Sequence, residues 1–142
     1  MLWSKQKSAE AAGEGTAERV AIEAEGLYRS GKMHCAEAVL AAVRNAFAPE
    51  VSEDVIQMAA GFGGGSGTGC ICGAVSGATM ALGMVLPGEK KRVSVLTKEL
   101  HRWFKGEYGA TCCKLILQSH GKPCPELTGK VAGKVAEMLT SG

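Results

Sequence analysis

The sequence predicts an all-α fold, an irregular bundle of about five to seven helices in which a glycine-rich loop leads into a buried central helix. Three observations predict it. Apolar residues recur at three- and four-residue spacing along most of the chain, which is the period of one helix face. No segment alternates apolar and polar residues convincingly as a half-buried strand does, and no internal repeat is present. The strongest breakers, Gly31, Pro49, Pro87-Gly88 and Gly109, fall between the periodic segments. With 142 residues the chain is long enough for one domain with a substantial core. Residues 1–15 have no apolar period and read as a flexible N-terminal extension, leaving 16–142 as a single helical domain.

In order, the first helix begins at Thr16, carries Val20, Ile22, Ala24, Leu27 and Tyr28 on its apolar stripe, turns Glu18, Glu23 and Glu25 to water, and stops at Gly31. A second begins near His34 or Cys35 and runs through Ala38, Val39, Ala42 and Val43 to Phe47, before Pro49. Ser52 suits the N-cap of a third, with Val55, Ile56, Met58 and Ala59 as its apolar residues. The glycine loop ends that helix. The central helix follows to Leu86, and LPGEKKR reads as a solvated turn. A fifth helix from about Val93 sets Val95, Leu96, Leu100, Trp103 and Phe104 on one side. A short helix around Cys112–Leu117, a loop HGKPCPEL and a closing helix from Thr128 to Leu139 complete the chain.

The formal charge is +2 and the basic residues are scattered, which excludes a nucleic-acid footprint. The apolar segment Cys70–Leu86 is 17 residues and glycine-rich, shorter than the roughly 20 a spanning helix needs, so no membrane span is predicted. The N-terminal MLWSKQKSAEAAGEG lacks an apolar secretory stretch, so a cytoplasmic location is expected, where clustered cysteines mean metal or redox chemistry more often than structural disulfides.

The chain is organised around Gly61–Gly77, GFGGGSGTGCICGAVSG, in which six of the first nine residues are glycine and Cys70 and Cys72 follow at once. Ordering so little side chain costs entropy, so such a loop serves positive φ angles or a close backbone approach. Amide groups of a glycine loop and of a helix start favour anions, a thiolate included. Gly65, Gly67, Gly69 and Gly73 are the glycines expected to line a site. Beyond the loop, Gly73, Ala74, Gly77, Ala78 and Ala81 form a face of small residues, and Met80 and Met84 read as core filler. That face, with Trp3 and Trp103, would permit a homodimer.

The six cysteines fall in four groups: Cys35, Cys70 with Cys72, Cys112 with Cys113, and Cys124. One buried cysteine is an ordinary small hydrophobe. Four groups at helix starts or short loops, each able to turn toward a common point, suggest a joint role. The spacings contain no Cys-x-x-Cys, so zinc ribbons, thioredoxin-type motifs and c-type haem attachment are excluded. The loop has neither Gly-Lys-Ser/Thr nor Gly-x-Gly-x-x-Gly, which argues against nucleotide binding. His34 adjoins Cys35 and could tune its thiol or add a nitrogen ligand, but a solvated helix-start histidine is the commoner case; His101 and His120 read as surface residues.

With these residues placed, the chain resembles the redox-active proteins named for the pattern C_GCAxxG_C_C. The Cys-Gly-Ala-x-x-Gly motif stands as Cys72-Gly73-Ala74-Val75-Ser76-Gly77. The first family cysteine maps onto Cys35 in His34-Cys35-Ala36-Glu37-Ala38-Val39-Leu40, the third lies in Phe104-x-x-x-Tyr108-Gly109-x-x-Cys112-Cys113 with Cys113 preferred from its spacing to Gly109, and the fourth is Cys124. The resemblance runs from Ala17 to Leu139. Two departures are the extra thiols at Cys70 and Cys112, which could substitute as ligands, and His34 where asparagine is expected. The family is similar to the cysteine-bearing part of split-Soret cytochromes, where an iron-sulfur centre is proposed. That likeness implies a cluster on Cys35, Cys72, Cys113 and Cys124 and an electron-transfer partner protein, and implies no haem because the attachment motif is missing. Two alternatives remain at this level. One is metal-free thiol-disulfide chemistry, with low-pKa Cys72 or Cys35 attacking and a neighbour resolving. The other is a structural or zinc-binding partner protein.

Overall fold

The computed structural model describes residues 15–141. Residues 1–14 of the expected extension, Trp3 among them, and residue 142 lie outside the described residues. Among the described residues seven α-helices follow one another: α1 Thr16–Arg29, α2 Cys35–Phe47, α3 Asp54–Gln57, α4 Gly73–Val85, α5 Lys90–Tyr108, α6 Cys113–His120 and α7 Cys124–Thr140. The described residues contain no strand, only an isolated antiparallel bridge between Ile71 and Cys112. The fold is all-α, as the periodicity predicts.

Helix α2 forms the centre, with Ala36, Ala38, Val39, Leu40, Ala42 and Val43 fully buried. It packs along α4 and also against α1 and α7, while α1 lies along α7 and α5 packs on α4, with its Leu100 and Phe104 fully buried. Small residues make the α2–α4 contact close: a Cβ added at Gly77 would overlap the Ala36 carbonyl and Cα. The α1–α7 contact is similar, since a Cβ at Gly129 would lie 2.9 Å from the Ala21 carbonyl oxygen. The small-residue face of α4 is thus used within the chain. Trp103 packs edge-on against Phe104 and carries Lys134 5.8 Å over its ring, also within the chain.

Several local expectations are corrected. Ile22, Met58 and Val95 are 67, 71 and 63 % exposed rather than on buried stripes. Ile22 lies two residues from both Val20 and Ala24, which places it about 200° round the helix from each. Val95 is five residues from Leu100, about 140° from the buried Leu100–Phe104 line. Met58 follows a helix that has already ended at Gln57, after which the chain tightens into a 3₁₀ turn at Ala60–Phe62. The N-cap of α3 is Glu53 rather than Ser52, although the Ser52 hydroxyl accepts the Asp54 N–H at 3.2 Å just before it.

The basic run Lys90-Lys91-Arg92 is the first turn of α5 rather than a loop, with Arg92 paired to Glu89 at 3.6 Å. Helix α7 begins at Cys124, four residues before the expected Thr128. Pro125 sits in its first turn, where the missing N–H has no helical acceptor to lose and the fixed φ is already helical, so the prolines start this helix instead of preventing it. No helix among the described residues is long and apolar enough to cross a membrane.

Candidate functional site

The glycine-rich segment resolves into one left-handed turn. Gly64, Gly65, Ser66 and Gly67 all have positive φ, between 61° and 72°, and Gly69 follows at 78°. A left-handed turn costs roughly 1–2 kcal/mol per residue with a Cβ, which is why only Ser66 among the four carries one. The turn is closed by Cys70 N–H and the Thr68 hydroxyl, both donating to the Gly65 carbonyl at 3.2 and 2.9 Å. Gly65 is also confined from outside, because a Cβ there would stand 2.8 Å from the Cys113 Cβ.

The segment after the turn is clamped to the one before α6. Cys72 N–H donates to the Thr111 carbonyl at 2.8 Å and Cys113 N–H donates to the Cys70 carbonyl, the two bonds that flank the Ile71–Cys112 bridge. The clamp sets the starts of α4 and α6 side by side. Cys72 is the N-cap of α4, and Cys35, Cys113 and Cys124 are the first residues of α2, α6 and α7. Each of the four thiols therefore stands at the start of a helix.

These four share one neighbourhood. Cys35 feels the charges of Cys124 and Cys113, Cys72 those of Cys35 and Cys113, and Cys113 that of Cys124. Gly73 brings α4 against the Cys35 sulfur: a Cβ at that position would fall 2.5 Å from Sγ and 2.6 Å from the Phe62 carbonyl oxygen. Burial pushes the Cys72 thiol up to about 12, with repulsion from Cys35 adding to it, while the Ala74 and Val75 amides oppose the shift. Burial raises Cys35 as well, against the Ala36 and Gly64 amides. Cys113 is raised by burial and then by the charges of Cys124 and Cys112. The helix-start amides thus act in the expected direction, but desolvation outweighs them. All six cysteines are free thiols.

The doubled positions separate. Cys70 is exposed and precedes α4 rather than lying in its first turn. Cys112 donates its Sγ–H to the Gly69 carbonyl at 3.1 Å, on the side of the chain opposite Cys113 in the local bridge. Of the glycines expected to line a site, Gly65 and Gly73 stand against Cys113 and Cys35; Gly69 approaches Lys114, and Gly67 faces open space. Gly64, whose amide reaches Cys35, belongs with the first pair.

Sequence reasoning gave two tyrosines no place beside the thiols. Tyr28, read as part of a packing stripe, has its hydroxyl within hydrogen-bonding reach of Cys124; burial and then the Cys124 charge push it up to about 12. Tyr108 rises to about 12 through burial, then the charges of Glu107, Cys72 and Glu126. Nothing in the periodicity distinguishes either from an ordinary aromatic. His34 is the exposed N-cap residue of α2, where its N–H donates to Glu37 Oε1 at 3.1 Å. His101 is half-buried and donates from Nδ1 to the Thr97 carbonyl at 2.8 Å, and exposed His120 stands edge-on to Tyr108. Among the described residues, no three Cys, His, Asp or Glu side chains are arranged to hold a single metal ion.

The chain is an all-α bundle in which separate helix starts bring one thiol each to a shared neighbourhood beside a left-handed glycine turn. The family model described as "Putative redox-active protein (C_GCAxxG_C_C)" matches residues 33–138, and the chain belongs to that family. The match begins after α1, so Tyr28 lies outside it. No curated protein and no solved structure matches the chain.

Proposed function

We propose that this is a redox protein in which Cys35, Cys72, Cys113 and Cys124 hold an iron-sulfur cluster and exchange electrons with a partner protein. The observation that carries the reading is the gathering of four helix-start thiols, two of which, Cys35 and Cys72, are faced by backbone amides. Burial holds the protons on Cys35, Cys72 and Cys113, and a cationic centre would replace them. Thiolates are the ligands iron-sulfur clusters need, and a cluster when bound supplies one-electron transfer.

The chain's own groups suit that centre. The Ala36 and Gly64 amides face Cys35 and the Ala74 and Val75 amides face Cys72; N–H donation to ligand sulfur stabilises the more negative reduced state. The positive ends of four helices favour the negative charge of a thiolate-ligated core. Buried Cys35 and Cys72 keep water from their side of the site. Tyr28 can donate its hydroxyl proton to Cys124.

A single zinc ion fits less well, because among the described residues no three Cys, His, Asp or Glu side chains are arranged to hold one metal ion. Sulfurs around one tetrahedral zinc stand about 3.8 Å apart, given Zn–S bonds of about 2.3 Å, whereas an iron-sulfide core separates its ligands more widely. Metal-free exchange needs a thiolate near neutral pH at Cys35 or Cys72, and burial works against both. The test is anaerobic purification and reconstitution, followed by the visible spectrum and iron and sulfide analysis. Iron and sulfide should both be present in wild type and in a Cys70→Ser/Cys112→Ser variant, and lost from Cys72→Ser/Cys113→Ser. Colourless, iron-free protein that resists reconstitution would overturn the proposal.

A further inference from the structure

Beside the cysteine site lies a cleft of about 420 Å³ walled by Arg29, Tyr108, His120, Lys122 and Lys130. Its size is that of a small-molecule pocket. Glu126 is its single acidic lining residue, against two lysines and an arginine. Arg29 is paired with Glu25 at 2.8 Å, but Lys122 and Lys130 have no carboxylate partner within 4 Å among the described residues. His120 Nε2–H donates to the Tyr108 carbonyl at 3.1 Å, which fixes the ring at the cleft wall.

The cleft is joined to the thiols on three sides. Pro123 and Pro125, also in its lining, flank Cys124. Arg29 follows Tyr28, whose hydroxyl reaches Cys124, and the Tyr108 hydroxyl lies within charge range of both Cys72 and Glu126. An anion seated in the cleft would therefore lie against Pro123 and Pro125, the residues on either side of Cys124.

We propose that this cleft binds a small organic anion bearing carboxylate or phosphate groups. Its use in electron exchange would rest on the cysteine reading above; the capacity to bind does not, so binding alone is the readout. Full-length protein is titrated calorimetrically with citrate and with inorganic phosphate, at ionic strength matched by chloride. At least one should bind saturably, and Lys122→Gln/Lys130→Gln should weaken it about tenfold for each charge-assisted hydrogen bond removed. Lys122→Arg/Lys130→Arg should retain binding. Lys98→Gln/Lys105→Gln, in the separate basic groove of α5, should leave it unchanged. The absence of saturable binding, or equal affinity in the Lys122→Gln/Lys130→Gln variant, would overturn the proposal. So would binding of a short polyglutamate peptide alone, abolished by Lys98→Gln/Lys105→Gln, because the acidic partner would then be a protein on α5.

Discussion

The two ends of helix α4 are built on different physics. From Gly77 onward it meets α2 through small apolar residues, and Ala78, Ala81 and Leu82 are fully buried. That contact is stabilised by burying apolar surface at close packing, and both periodicity and composition announce it. At its start, Cys72 and Gly73 are held by a left-handed turn, a two-bond clamp and the proximity of other thiols. Burial there works against ionisation instead of simply adding stability. The contrast teaches that one helix can serve as the core at one end and as a wall of the site at the other, with glycine used for approach to backbone in the first case and for approach to sulfur in the second.

The largest expected effect breaks the packed end. Gly77→Ala places a Cβ into the Ala36 backbone, which cannot swing aside as a side chain would. Overpacking of this kind costs about 1–3 kcal/mol or more, so thermal unfolding should drop steeply or soluble protein should be lost. A melting temperature equal to wild type would show that α2 and α4 are not in contact at Gly77.

The site end should break with alkali instead. Cys35, Cys72 and Cys113 have thiol pKa values raised above the unfolded 9.0, so the folded metal-free protein holds protons that the unfolded chain releases. Their contribution to stability is complete below pH 9 and is lost as pH rises toward the folded value, about 12 for Cys72. Denaturant titrations of the metal-free protein should therefore show stability falling across that window, on the order of a few kcal/mol. Cys72→Ala should flatten the slope; an unchanged slope would remove Cys72 as its source. At fixed pH 8, a water-soluble disulfide reagent should modify exposed Cys70 well before Cys35 and Cys72.

The same contrast explains what could be read in the chain. Helix centres were legible because Val39, Val43, Leu100 and Phe104 repeat at helical spacing. Helix starts were less so. Pro123 and Pro125 signal a break and a first turn equally well, and the choice depended on α7 having α1 to pack against. The cysteines could be placed at or near helix starts, but the separation of Cys113 from Cys112 depends on the side-to-side alternation of a bridge with Ile71, a partner remote in sequence. Tyr28 illustrates the remainder: its position in α1 is readable, and its reach to Cys124 exists only after α1 docks on α7.

The smallest expected effect sharpens the comparison within α4 itself. Gly83 lies in the same helix as Gly77, but nothing stands within 4 Å of where its Cβ would be, and its φ is not positive. With no neighbour for the added methyl to meet, the only terms left are backbone entropy in the unfolded chain and helix propensity, and both favour alanine by about 0.5–1 kcal/mol. Gly83→Ala should therefore raise the melting temperature slightly, while Gly77→Ala, six residues earlier in the sequence, lowers it. If Gly83→Ala instead destabilises the protein, that face of α4 has a neighbour at Gly83, and the division of the helix into a packed end and a site end must be redrawn.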